Sequence, residues 1–312
     1  MAAKTVHAVT GAFGFSGKYV ARQLLDAGRS VVTYTNSPNR PNPFGGAVEA
    51  RPFRFDDVDA LAESMADVEV FYNTYWVRFN AQGFSHEGAV EHTLALFEAA
   101  KKAGVRRFVH ISITNPDENS PLEYFRGKGF LERKLRESGL SHAILRPAVL
   151  FGKEDILINN IAWTLRHFPV YAMFGDGSYH IQPTFVEDLA RLMVEQGQER
   201  ENTLIQAVGE EDYTYLDLVK MLRRELGLRR PIIGVPPTLG YWASVLVGRI
   251  MGDIFVTKEE IDGLMGDLLH VPGAGIAGTK LSDWVRQNKD TLGKRYAGEL
   301  PRRTDRTRDY NA

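Results

Sequence analysis

Val9-Thr10-Gly11-Ala12-Phe13-Gly14-Phe15-Ser16-Gly17-Lys18-Tyr19 places three glycines at three-residue intervals between an apolar run and an amphipathic one. Ahead of it, Thr5 to Thr10 reads as a buried first strand. Behind it, Tyr19, Val20, Leu24 and Leu25 form a helical stripe that ends at Gly28. Strand, glycine turn and helix N-terminus together suit a dinucleotide pyrophosphate. Glycines permit the tight turn, let backbone N–H groups approach the phosphates and let the helix pack closely, while the positive end of the helix faces the anion. Gly11, Phe13, Gly14, Phe15 and Gly17 are therefore the first candidate cofactor contacts.

Outward from this turn, short β-branched runs alternate with longer amphipathic ones as far as about Pro147, the pattern of βαβ units and a parallel sheet. Strands are predicted at 5–10, 30–35, 48–53, 68–73, 106–112 and 142–146, with helices near 15–27, 58–66, 85–103 and 122–138. The remainder is less regular. It contains a helix near 155–167, a strand before Gly175, a strand from Ile181 to Val186, a helix from about Glu187, a strand at 203–208 and helices near 214–227, 238–251, 257–265 and 279–290. From Pro301 the chain is charged and almost free of aliphatic side chains, which predicts a mobile tail.

Composition narrows the partners. The 312 residues are 44% hydrophobic, with 38 basic against 39 acidic residues and a net charge of −1, so no global field draws nucleic acid or an anionic membrane. A small-molecule ligand is the expectation. Zero cysteines exclude a disulfide scaffold, thiol catalysis and thiolate metal sites, and no histidine pair has the short spacing of metal ligands, so no metal is expected. No signal peptide is expected, since Val6 to Val9 belongs to the first strand and glycines follow. The uncharged run Pro231 to Gly248 is broken by Pro236, Pro237 and glycines, which argues against an integral membrane segment; core or dimer packing is the preferred reading of its apolar residues. A cytoplasmic location is expected.

A second informative region runs through Val109-His110-Ile111-Ser112-Ile113-Thr114, Tyr124-Phe125-Arg126-Gly127-Lys128 and Leu145-Arg146-Pro147-Ala148-Val149-Leu150-Phe151-Gly152. Hydroxyls after one strand, Tyr-x-x-x-Lys opening the next helix and Arg-Pro after the following strand all converge on the sheet edge where open α/β folds bind ligands. Four residues apart on a helix, Tyr124 and Lys128 share a face, and a nearby cation favours the ionised phenol. Tyr124 is thus the candidate general acid/base and Lys128 its cationic neighbour, while Ser112 is the candidate for holding the reacting oxygen. Thr114 or Ser120 could fill the hydroxyl position instead. With 12 tyrosines in the chain, roughly half a Tyr-x-x-x-Lys match is expected by chance, so the pair draws its weight from order and position.

These motifs, together with Phe185-Val186-Glu187-Asp188-Leu189-Ala190, make the chain resemble the extended and atypical branches of the short-chain dehydrogenase/reductase superfamily, notably its epimerase-like and complex-I accessory-subunit-like members. The resemblance implies an α/β, Rossmann-type doubly wound parallel sheet of about seven strands, with Ile181 to Val186 returning to it, and a small, mostly helical C-terminal lobe over the substrate. Residues 1–150 plus about 181–198 would form the dinucleotide-binding domain, 151–180 and 199–298 the lobe, and 299–312 the tail. Lys128, Asn73, Thr74, Pro147 and Val149 join the cofactor contacts by the same resemblance, and Lys128 would hold the cofactor ribose. Homodimers through two long helices are common in the superfamily. Two departures stand out. Ile111-Ser112-Ile113-Thr114 replaces the usual double serine, and the fourth strand ends Tyr72-Asn73-Thr74-Tyr75-Trp76 where small residues are usual. Tyr75, Trp76 and Phe79 could form an aromatic wall beside the nicotinamide, which favours an apolar substrate, or pack as plain core; Tyr75, Trp76 and Thr114 are the candidate substrate contacts.

Cofactor choice is read after the second strand, where Asp or Glu would bond the ribose diol of NAD. Tyr34-Thr35-Asn36-Ser37-Pro38-Asn39-Arg40 has no acid and offers Arg40 to a 2′-phosphate, which favours NADP over NAD. Asn36 and Arg40 are candidate contacts here; after the third strand Phe55-Asp56-Asp57 resembles the family's adenine-contacting turn, which makes Asp56 a candidate adenine contact unless Arg54 takes the aspartate position or Asp56 or Asp57 caps the next helix. The leading expectation is an NADP-dependent oxidoreductase. Its rivals are an epimerase or dehydratase that returns the hydride, and a non-catalytic dinucleotide-binding subunit or redox sensor.

Overall fold

A computed structural model describes residues 5–276, 278–305 and 307. In chain order the elements are β1 (Val6–Thr10), α1 (Phe15–Asp26), β2 (Ser30–Thr35), β3 (Val48–Pro52), α2 (Val58–Ser64), β4 (Val68–Asn73), α3 (His86–Lys102), β5 (Arg107–Ile111), α4 (Glu123–Glu137) and β6 (His142–Arg146). There follow β7 (Leu150–Phe151), α5 (Leu157–His167), β8 (Tyr171–Phe174), β9 (His180–Ile181), β10 (Thr184–Phe185), α6 (Val186–Gln198), β11 (Thr203–Gln206), β12 (Tyr213–Thr214) and α7 (Tyr215–Glu225). The last are β13 (Ile232–Val235), α8 (Pro237–Met251), α9 (Lys258–Met265), α10 (Leu281–Asn288) and α11 (Leu300–Thr304).

The described residues form two compact units, 5–146 with 186–205 and 307, and 147–185 with 206–276 and 278–305. The first is built on a seven-stranded sheet in the order β11-β6-β5-β4-β1-β2-β3. Pairing is parallel from β3 through β2, β1, β4 and β5 to β6. Burial on both faces explains why Val-His-Ala-Val-Thr and Val-Glu-Val-Phe-Tyr-Asn are so nearly continuous in apolar residues. Strand order reverses beside β1, which has β2 on one side and β4 on the other, so the carboxyl ends of β1 and β4 flank a topological switch point. Local chemistry sets the helix starts: Asp57 accepts the Ala60 N–H at the head of α2, and Ser85 the Gly88 N–H at the head of α3. The core of this unit packs Leu61, Met65, Leu96, Leu131 and Leu135 against Phe71, Phe108 and Ile144 of the strands.

The expected return of Ile181–Val186 to this sheet is not what the structure shows. His180–Ile181 pairs antiparallel with β12 and Thr184–Phe185 pairs in parallel with β7, both within the second unit, and the place beside β6 is taken by β11. The link is anchored where Asn202 accepts the His142 N–H (2.8 Å).

The second unit has its own core, in which Ile158, Ile161 and Leu165 of α5 meet Leu218 and Leu222 of α7 and Trp284 and Val285 of α10. Helix α8 exposes Leu239, Trp242, Leu246 and Ile250. Where a tail was expected, α11 carries the chain to Thr304, and Arg302 donates to the Glu154 carbonyl (2.9 Å); positions 306 and 308–312 lie outside the described residues. Among the described residues no helix is long and apolar enough to cross a membrane.

Candidate active site

The glycine turn is held by backbone contacts. Gly11 has a left-handed φ of 63°, its N–H donates to the Tyr34 carbonyl (3.0 Å), and its own carbonyl accepts the Gly14 N–H (2.8 Å). A Cβ at Gly17 would meet the Gly11 carbonyl oxygen at 2.5 Å and the Thr10 carbonyl oxygen at 2.7 Å, so only glycine lets α1 approach β1 so closely. Helix α1 starts without a side-chain cap and has no acid in its first turn. Its N-terminal N–H groups therefore suit a pyrophosphate, and the residues fit a dinucleotide on this ground. Phe13 is buried, and the Phe15 ring stands edge-on to Tyr19.

A buried polar chain ties the ends of β1, β4 and β5 together. Thr10 Oγ1 donates to Asn73 Oδ1 (3.2 Å) and accepts the Thr74 N–H (2.7 Å), while Thr74 Oγ1 donates to the Thr10 carbonyl (2.6 Å). Asn73 Oδ1 also accepts the Tyr75 N–H, and Asn73 Nδ2 donates to His110 Nδ1 (3.1 Å). Burial, with Lys128 and His142 adding to it, holds His110 well below the usual histidine range. Asn73 is fully buried and its side chain serves this brace, whereas Thr74 is half-buried.

Around α4 the structure brings the Tyr–Lys pair together with residues that spacing alone did not connect. Lys128 is only 2% exposed; its ammonium donates to the Ile111 carbonyl at the end of β5 (2.8 Å) and stands 4.2 Å from the Trp76 ring centroid. Burial pushes the Lys128 amine down to about 7, against the opposing pull of Glu132 one helical turn away. Glu132 is itself buried and held by Arg146 through Nε (2.8 Å) and Nη2 (2.6 Å). Trp76 also meets Tyr124 edge-on (5.6 Å) and stacks on His86 (6.0 Å). Gly127 makes room for the indole, since a Cβ there would come within 3.2 Å of it. Tyr124 is half-buried. Ser112 is buried, and its hydroxyl has no hydrogen-bond partner among the described residues.

The expected aromatic wall separates into different clusters. Tyr75 donates to or accepts from His92 Nδ1 (2.8 Å) and packs with Phe53 and Phe55, Trp76 joins Tyr124, and Phe79 is buried beside Phe84. Thr114 is fully buried. Asn36 and Asp56 are exposed after β2 and β3, Asp57 is the residue that caps α2, and Arg40 is mostly buried. Pro147 and Val149 belong to the second unit, where the Val149 carbonyl accepts the Thr184 N–H (2.8 Å). Sequence reading missed His86 and the Glu132–Arg146 pair. The i, i+4 spacing of Lys128 and Glu132 was a signal for the latter.

A glycine turn feeding an uncapped helix at the switch point of a parallel sheet is the arrangement of an NAD(P)-binding Rossmann-type domain, and with a Tyr–Lys pair on α4 it resembles the extended short-chain dehydrogenase/reductases. Residues 11–161 match the NAD(P)H-binding family. The chain is 29% identical over 198 residues to the mitochondrial NADH dehydrogenase [ubiquinone] 1 alpha subcomplex subunit 9 of Arabidopsis thaliana, covering 61% of this chain and 49% of that protein. It is 29% identical over 275 residues to the mitochondrial NADH-ubiquinone oxidoreductase 40 kDa subunit of Neurospora crassa, covering 85% of this chain and 72% of that protein. The match thus spans about half the length of the plant relative. Among solved structures, MoeE5 in complex with UDP-glucose and NAD superposes with a TM-score of 0.67 at 20% identity, covering 91% of this chain and 97% of that one, a likeness of fold.

Proposed function

We propose that this chain is an NAD(P)-dependent oxidoreductase, with NADP favoured, that moves hydride between nicotinamide and the carbonyl or alcohol carbon of a medium-sized, partly apolar substrate. One observation carries the reading: Tyr124 and Lys128 share a face of α4, and Lys128 is bonded to the Ile111 carbonyl, next to the unpartnered Ser112 hydroxyl. Bound nicotinamide supplies the hydride chemistry. Tyr124 moves the proton at the substrate oxygen, with Lys128 one turn along the helix on the same face. The Ser112 hydroxyl is available to hold the same oxygen. Trp76 and His86 beside Tyr124 favour an apolar substrate, and the lack of an acid after β2, with Arg40 nearby in sequence, favours NADP.

The test is loss of reduced-nicotinamide absorbance with NADPH and NADH over a panel of aldehydes and ketones. Turnover with NADPH that falls by about 10²- to 10⁴-fold in Tyr124→Phe, with cofactor binding intact, is the expected result. Binding without consumption in either protein would favour a second reading, a non-catalytic NAD(P)-binding subunit. That reading has its own support in the Trp76 ring lying against Lys128 and in the similarity to complex I subunits.

A further inference from the structure

Three side chains far apart in sequence meet in the second unit. His180 Nδ1 lies 3.0 Å from Asp212 Oδ1, and His270 Nε2 lies 3.0 Å from Asp212 Oδ2. The two imidazole centroids are 4.8 Å apart, and one ligand atom from each of the three residues falls within 4.8 Å of the others. Bonds of about 2.0–2.1 Å to a tetrahedral ion put neighbouring donors roughly 3.4 Å apart, so small side-chain movements would seat all three donors on one centre.

The backbone under these donors is fixed by contacts independent of the cluster. The pairing of β9 with β12 sets His180 opposite Thr214, with Asp212 just ahead of β12. The buried Gln182 grips the segment that carries His270 from both sides: its N–H donates to the Leu269 carbonyl (3.0 Å), its Oε1 accepts the Val271 N–H (2.8 Å), and its Nε2 donates to the Ala274 carbonyl (2.9 Å). The His180 N–H donates to Asp267 Oδ1 (2.6 Å), and Asp267 holds a left-handed φ of 57°. The side chains of His180, Asp212 and His270 are 39%, 37% and 15% exposed, which leaves solvent access to the open side of the cluster.

We propose that His180, Asp212 and His270 form a binding site for a borderline divalent transition-metal ion, of which Zn²⁺ is the type. Two imidazoles and one carboxylate are a donor set suited to such ions, with a water completing the shell. A bound ion ties β9 and β12 to the segment after α9, and its binding requires both histidines as neutral acceptors.

The experiment uses the full chain without a polyhistidine tag, stripped with a chelator that is then removed, and titrated calorimetrically with ZnCl₂. One Zn²⁺ per chain is expected, with affinity lowered by about tenfold or more in His270→Gln and Asp212→Asn and unchanged in His167→Gln, which lies outside the cluster. Far-UV circular dichroism and metal-free melting check that the variants remain folded. Co²⁺ gives a second reading, with visible absorption bands that His180→Gln should abolish. The proposal is overturned if the stripped protein shows no saturable Zn²⁺ binding, leaving a His–Asp–His hydrogen-bonded cluster only. It is equally overturned if all three cluster variants bind Zn²⁺ as wild type does.

Discussion

Gly17→Ala isolates the part of the nucleotide cradle that the backbone alone creates. Alanine in a helix is favoured over glycine by about 1 kcal/mol. Here its methyl would meet three backbone atoms, the Gly11 carbonyl oxygen and carbon at 2.5 and 2.7 Å and the Thr10 carbonyl oxygen at 2.7 Å, none of which can swing aside as a side-chain end could. Overpacking of this kind costs about 1–3 kcal/mol, so the net loss is up to about 2 kcal/mol, or a fall of a few degrees in melting temperature for a unit of this size. The larger effect falls on binding. Moving the first turn of α1 away from β1 weakens one or two charge-assisted N–H contacts to phosphate, roughly a ten- to hundredfold rise in Kd for NADPH. The control is Gly139→Ala, where φ is +79° and nothing lies within 4 Å of the new methyl; it should lose about 1 kcal/mol of stability with Kd unchanged. Fluorescence titration with NADPH and thermal melting read both quantities. A Gly17→Ala protein that melts and binds as wild type does would refute the close-approach reasoning.

Three further outcomes are expected. Lys128 titrates near 7 folded against 10.5 when exposed, so its contribution to stability is complete above about pH 10.5 and is lost as pH falls towards 7; urea unfolding across that range should show a dependence of up to about 1.4 kcal/mol per pH unit that Lys128→Met removes. Arg146→Ala strands the buried Glu132 and should lower unfolding free energy by about 3–5 kcal/mol, whereas replacing both by apolar residues should recover most of the loss. Trp76→Ala uncovers the Lys128 amine, so acetic anhydride followed by mass spectrometry should modify Lys128 in the variant and spare it in the wild type.

The first six strands and the glycine turn could be read in advance because parallel strands buried on both faces are short apolar runs between helical stripes, and that signal is local. The seventh strand was expected at 203–208, but its place in the sheet could not be read. Thr203-Leu-Ile-Gln is no more apolar than Ile181–Val186, and which segment joins β6 depends on long-range contacts such as the Asn202 bond to the His142 N–H. Tyr124 and Lys128 were legible from their spacing on one helix. The indole against Lys128 was not, since Trp76 and Lys128 are brought together only by the packing of the loop after β4 on α4 at Gly127. The same limit applies to His180, Asp212 and His270, which have no local spacing to read.

The central claim, that this chain passes hydride to a substrate carbon with Tyr124 moving the proton, is tested most directly with NADPH carrying deuterium at the transferred position. Mass spectrometry of the carbonyl substrate's product follows the label in wild type and in Tyr124→Phe. Deuterium retained in an alcohol product made by the wild type, and product formation all but lost in the variant, is the predicted result. Tight cofactor binding with no labelled product in either protein would contradict it.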